Sequence, residues 1–283
     1  MTGHGFHTGV LCALHEATGW DPRTADVIVG TSAGSEVAAL LRAGLSAADL
    51  AARAMGTPLS QEGEALLTPV GPPLPIPGIK AELIGRPAAP DALWRAARRP
   101  LSARAGMALA AAMPAGKTSI EPLAAYLRPL FGDAWPERAL WICATRIDQG
   151  QRVVLGRDAQ PVTDVGTAVA ASCAVPGWFE PVSISGDRYV DGGAWSATNL
   201  DLLAGLGLDV VVVSAPLSRV VRKARLAAEA AKVRRTGTLV VAFAPSVADL
   251  TAMGLNALDA SRRASACVQA RRTTLRRLGR RHR

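Results

Sequence analysis

Short apolar runs rich in β-branched residues alternate along this chain with longer stretches in which Ala and Leu recur at helical spacing. That alternation predicts an α/β fold with a mainly parallel central sheet. Asp26–Gly30 (DVIVG) reads as a buried strand and Ala33–Ala43 as a helix stopped by Gly44, while Ser46 caps a second helix through about Met55. Hairpins are expected where Leu140–Ile147 and Arg152–Leu155 flank Asp148-Gln149-Gly150, and where Val182–Ile184 and Arg188–Val190 flank Ser185-Gly186-Asp187. Val165–Cys173 reads as a helix between them. Asp209–Ser214 and Thr238–Phe243 read as buried strands joined by a helix over Val220–Arg235, and a last helix begins near Val247.

The texture changes after Met55. Prolines at 58, 69, 72, 73, 75, 77, 87 and 90 argue against regular structure over residues 57–90. Helical patterning returns at Asp91–Ala112 and Ile120–Leu130. Residues 57–118 are therefore an insertion in a domain spanning 1–261, read either as a lid over the sheet or as a surface loop.

Composition adds limits. With 49% hydrophobic and 19% charged residues the chain is a folded globule, not a disordered one. It holds no apolar run of the roughly 18 residues that a membrane span needs. No basic region precedes the apolar stretch Gly9–Leu14, so no signal peptide is expected and the location reads as cytoplasmic. Cys12, Cys143, Cys173 and Cys267 form no C-x-x-C pair and read as free thiols, so no metal site, disulfide framework or cofactor is expected. The net charge of +9 equals the nine arginines between 262 and 283, a stretch without an acid, which leaves residues 1–261 formally neutral. This basic tail reads three ways: peripheral contact with an anionic membrane, non-specific contact with nucleic acid, or a solvated appendage. A dedicated nucleic-acid module is not expected of a neutral body with 4% aromatics. Nothing in the pattern signals an oligomeric state.

The chemistry concentrates at Gly30-Thr31-Ser32-Ala33-Gly34, a G-x-S-x-G motif set between a predicted strand and a predicted helix. That setting suits a nucleophile elbow: the tight turn projects the Ser32 hydroxyl, Gly30 and Gly34 avoid crowding, and the helix start offers positive charge to an oxyanion near Ala33. The same pattern also suits a capped strand–helix turn or a phosphate-binding turn. A serine nucleophile needs a base, yet of four histidines (His4, His7, His15, His282) only His282 follows Ser32, as the penultimate residue. The best alternative is Asp191 in Asp191-Gly192-Gly193, at the end of a predicted strand, where a carboxylate takes the serine proton directly.

The pairing of G-x-S-x-G with Asp-Gly-Gly resembles the patatin-like phospholipase family. Gly9–Leu14 is similar to that family's first helix, Asp26–Ser35 to its elbow, and Ala171–Phe179 with Pro181-Val182 to the segment before its aspartate. Asn199 stands where the family often has Asn, and the likeness covers about residues 3–56 and 140–256. The resemblance implies a three-layer α/β/α sandwich, a Ser32–Asp191 dyad working through an acyl-enzyme, and lipid acyl esters as substrates. It also implies oxyanion donors from a glycine-rich loop after a first strand. Here Met1-Thr2-Gly3 matches only the end of that loop, with Gly3 as its last glycine. Either the natural start lies upstream, which the survival of Ser32 and Asp191 favours, or the oxyanion site is incomplete. Three readings follow: a phospholipase or esterase, a soluble esterase or thioesterase using the same dyad, and a silent binding protein that keeps the fold.

Overall fold

The computed structural model describes residues 1–71, 81, 84–93, 105–159, 161–217 and 223–279. It is mixed α/β, as the alternating pattern predicts, and divides into two compact units. The first comprises Met1–Asp26, Leu40–Leu66 and Ala197–Arg283; the second comprises Val27–Ala39 and Leu67–Ser196.

The second unit is built on a five-stranded sheet. Its spine is the longest strand, β2 (Ala139–Arg146). One edge of β2 is taken by β3 (Gln151–Leu155), antiparallel over Ile142–Arg146. The other edge is shared end to end. β1 (Val27–Thr31) runs parallel to Ala139–Cys143, and β5 (Asp187–Asp191) runs antiparallel to Ala144–Arg146. β4 (Val182–Ile184) lies outside β5. The β4–β5 turn is made by Ser185 and Gly186 with φ of 52° and 84°, the pair of left-handed residues that a two-residue hairpin requires.

The expectation of parallel pairing is met where helices carry the chain between strands, in β1–β2 here and in β6–β7 of the first unit. The antiparallel ladders come from the two hairpins and from the head-on arrival of β5. The core around β2 is made by Leu140, Ile142, Ala144, Val154, Leu155 and Tyr189, all buried.

Between β1 and β2 the chain forms α2 (Ala33–Ala43), α3 (Ala47–Met55, capped by Ser46), α4 (Gln61–Leu67), α5 (Ala105–Ala112) and α6 (Glu121–Leu127). α4 corrects the expectation that 57–90 lacks regular structure. Its seven residues fall between Pro58 and Pro69, and the Ser60 hydroxyl accepts from the Gly63 amide to start it. Much of the remaining insertion lies outside the described residues. Its described ends are packed, since Ala89 and Ala111 join a cluster with Ile147 and Val190.

The first unit begins with α1 (Thr2–Thr18) and closes with β6 (Val210–Ser214), α8 (Lys223–Arg234), β7 (Leu239–Phe243), α9 (Val247–Met253) and α10 (Arg263–Gly279). α7 (Val165–Cys173) belongs to the second unit and begins at the residue expected. The arginine-rich stretch read as a tail is instead largely α10, a helix packed on α1. Ala266, Cys267 and Ala270 are buried there, with Ala266 and Ala270 clustered with Phe6, Val10 and Leu14. The reason is steric: Gly5 and Gly9 of α1 lie so close to α10 that an added Cβ would meet the carbonyl oxygens of Arg263 and Cys267 at 2.2 and 2.3 Å.

Candidate active site

Each turn of the elbow has a local cause. β1 ends at Thr31, α2 begins at Ala33, and Ser32 between them has φ of 53°. A left-handed serine is a strained residue, of the kind that persists only where its surroundings over-determine it. They do so here. The Ser32 carbonyl accepts from both the amide and the hydroxyl of Ser35, each at 2.7 Å. The Ser32 amide donates to the Ser172 hydroxyl at 2.9 Å. Gly30 allows the helix to start this close, because a Cβ there would lie 2.5 Å from Ser35 Cα and 2.9 Å from the Gly34 carbonyl oxygen. Ala33 and Gly34 form the first turn of α2, whose free amides and positive end suit an anion.

Asp191 arrives from the opposite direction. It is the last residue of β5 and sits opposite Ala144, while Thr31, the last of β1, sits opposite Cys143. The two strands meet head-on along one edge of β2, which brings Ser32 and Asp191 to adjoining positions. Asp191 is buried, and its Oδ1 accepts from the Gly193 amide at 2.6 Å. Both glycines of Asp-Gly-Gly stand in this crowding, and at Gly192 the obstacle is backbone. A Cβ on Gly192 would stand 2.1 Å from the Cys143 carbonyl oxygen, and one on Gly193 would stand 2.8 Å from Asp191 Oδ1.

The C-terminal end of α7 lies against both. Ser172 is fully buried, accepts from the Ser32 amide, and donates its own proton to the Cys143 carbonyl at 2.7 Å. The Ala174 carbonyl accepts the Asp191 amide at 2.9 Å. Between them Cys173 Sγ lies 3.6 Å from Ser35 Oγ. Burial, and then the Asp191 carboxylate, push the Cys173 thiol well above its ordinary range, so it stays protonated.

Ser172 lies within the Ala171–Phe179 segment, to which the sequence alone assigns no chemical role. The available signal was a serine hydroxyl among the Ala and Val residues of a predicted helix, since a buried serine must find a partner.

Gly3 lies in the first turn of α1, within the first unit. That turn is anchored by the Thr2 amide on the Ala257 carbonyl. His4, His7 and His15 are also on α1. His7 Nδ1 is 2.9 Å from the Ser214 hydroxyl, and His15 Nδ1 is 3.1 Å from the Trp20 carbonyl oxygen. His282 lies outside the described residues. Among the described residues no group of three or more His, Cys, Asp or Glu has the arrangement of a metal site, and no helix is long and apolar enough to cross a membrane.

The family model described as patatin-like phospholipase matches residues 4–204, a span that contains Ser32, Ser172 and Asp191. A search of curated proteins finds no match. Among solved structures, VipD from Legionella pneumophila is similar over 99% of this chain, at 13% identity and a TM-score of 0.43, and this chain covers 65% of that one.

Proposed function

The chain belongs to the patatin-like phospholipase family, and from that premise we propose that it is a lipid acyl hydrolase in which Ser32 is the nucleophile and Asp191 its general base. The observation that carries this reading is the meeting of β1 and β5 on one edge of β2, with a left-handed Ser32 at one strand end and a buried carboxylate at the other.

The chemistry follows from those positions. The Ser32 hydroxyl attacks the ester carbonyl carbon as Asp191 takes its proton. The carbonyl oxygen becomes an oxyanion, which the Ala33 amide at the start of α2 receives. Collapse of the tetrahedral intermediate breaks the ester bond, and the departing alcohol takes the proton from Asp191. A water molecule then gives a proton to the same carboxylate and attacks the acyl-enzyme, releasing the fatty acid and restoring Ser32. A neutral cysteine beside the carboxylate does not compete for this role.

The test is hydrolysis of p-nitrophenyl acyl esters together with labelling by a fluorophosphonate probe. Ser32→Ala and Asp191→Asn are each expected to lose about a thousandfold or more in kcat, as for other residues of a nucleophile–base unit. Undiminished hydrolysis by Ser32→Ala would sink the mechanism.

Of the three readings of the basic stretch, the exposed side of α10 suits contact with an anionic membrane. Arg272 and Arg276 are four residues apart on its exposed face, away from buried Ala266, Cys267 and Ala270. Each arginine near an anionic bilayer contributes about 1 kcal/mol. We propose that this face holds the enzyme on anionic lipid. Charge reversal of Arg272 and Arg276 to Glu is expected to reduce cosedimentation with phosphatidylglycerol vesicles at low salt, and binding that does not change would count against the proposal. Reversal is the better probe than deletion, because deletion strips α1 of its partner.

A further inference from the structure

We propose that Ser172 is a positioning residue for the acyl-transfer reaction: its hydroxyl holds the strained Ser32 backbone, and the helix end that carries it also fixes the Asp191 backbone. The inference rests on the dyad reading and extends it to a residue 140 positions away from the nucleophile.

A buried serine within a helix ordinarily returns its proton to a carbonyl one turn back in the same helix. Ser172 does not. It donates to Cys143 of β2 and accepts from Ser32, so its oxygen stands between the sheet and the elbow as a fixed bridge. The Ser32 amide lies at the end of a strand and before the first turn of a helix, where backbone donors have no partner of their own. Without the Ser172 oxygen, that amide and the Cys143 carbonyl would each lose a partner shown here. The elbow would then lose one of the contacts that hold φ at 53°. Two residues further on, the Ala174 carbonyl receives the Asp191 amide. One rigid helix end thus registers the backbones of both reacting residues. Its function is to set the approach of the Ser32 hydroxyl to the carboxylate, for which misplacement by about 1 Å is enough to cost roughly a hundredfold in rate.

The experiment compares Ser172→Ala with Val169→Ala. Val169 is buried in the same helix, and its truncation is expected to weaken packing without removing a contact to Ser32. Ser172→Ala is expected to lower kcat for a p-nitrophenyl ester about 10- to 100-fold, with KM within about twofold. It is also expected to slow fluorophosphonate labelling. Val169→Ala is expected to lower thermal stability at least as much while keeping kcat near wild type. Equal losses of kcat in the two variants would mean that Ser172 serves stability alone, and the proposal would be overturned.

A second readout is independent of turnover. Hydrogen exchange of the amides at 30–34 is expected to accelerate in Ser172→Ala and not in Val169→Ala. Unaltered exchange there overturns the tether even in an active enzyme. Loss of the Ser32 mechanism itself would be seen separately, as full hydrolysis by Ser32→Ala.

Discussion

A single methyl group at residue 192 would stand 2.1 Å from the Cys143 carbonyl oxygen, far inside van der Waals contact, and the obstacle is backbone. At this scale the site is a packing problem before it is a chemical one: two strand ends converge on Cys143 and Ala144, and only a glycine lets the second chain turn away. Gly192→Ala is therefore expected to destabilise the protein by about 3 kcal/mol, at the upper part of the range for overpacking, and to disturb Asp191 directly. A lowered urea midpoint together with reduced esterase activity is the signature to look for. A variant of wild-type stability would show that the crowding is relieved at no cost. As candidates, Ser32 and Asp191 were legible in the sequence because each carries its own glycines and its own strand, so the local physics is written beside it. Ser172 was not, because both its partners are remote in the chain and no local pattern marks a hydroxyl that bridges a strand and a turn.

Among the elements, those with a strong period were read within a residue or two. The Ala33–Ala43 helix, the Val165–Cys173 helix and both hairpins fall where expected. The misreadings have two physical sources. One is proline density, which hid α4 although its seven residues contain no proline. The other is charge. Nine arginines drew attention to the exposed face of the last segment, whereas its packing face consists of small residues. Gly5 and Gly9 of α1 meet Ala266 and Ala270 of α10, so the helices approach closely through small residues, with Leu278 of α10 also packed against the cluster. Arg271 reinforces the pair by reaching Glu16 of α1 at 2.6 Å.

At the scale of the whole molecule, one response of the chain to acid falls on α1. Burial, then the neighbouring His4 and the N-terminal ammonium group, bring His7 down to about 3 from its ordinary 6.5. Folding therefore excludes a proton that the unfolded chain accepts below pH 6.5. Stability is expected to be insensitive to this residue above pH 6.5, and to fall by about 1.4 kcal/mol per pH unit below it, toward pH 3. Chemical denaturation between pH 7.5 and 4.5 measures that slope. His7→Gln is expected to flatten it, and an unchanged slope would place the acid sensitivity elsewhere.

The partnership of α1 with α10 also sets an order of events at the ribosome. The first unit draws on residues 1–26, 40–66 and 197–283, and the second lies between these pieces. During synthesis α1 emerges well before α10, the helix that covers Gly5 and Gly9. At about 5–20 residues per second, some ten seconds or more separate the two. Over that interval Phe6, Val10 and Leu14 lack the α10 side of their cluster, while every described strand that supports Ser32 and Asp191 has already been made. The nascent chain thus acquires the strands around Ser32 and Asp191 before it can close the unit that holds α1, and in the meantime that apolar helix is a natural client for a chaperone.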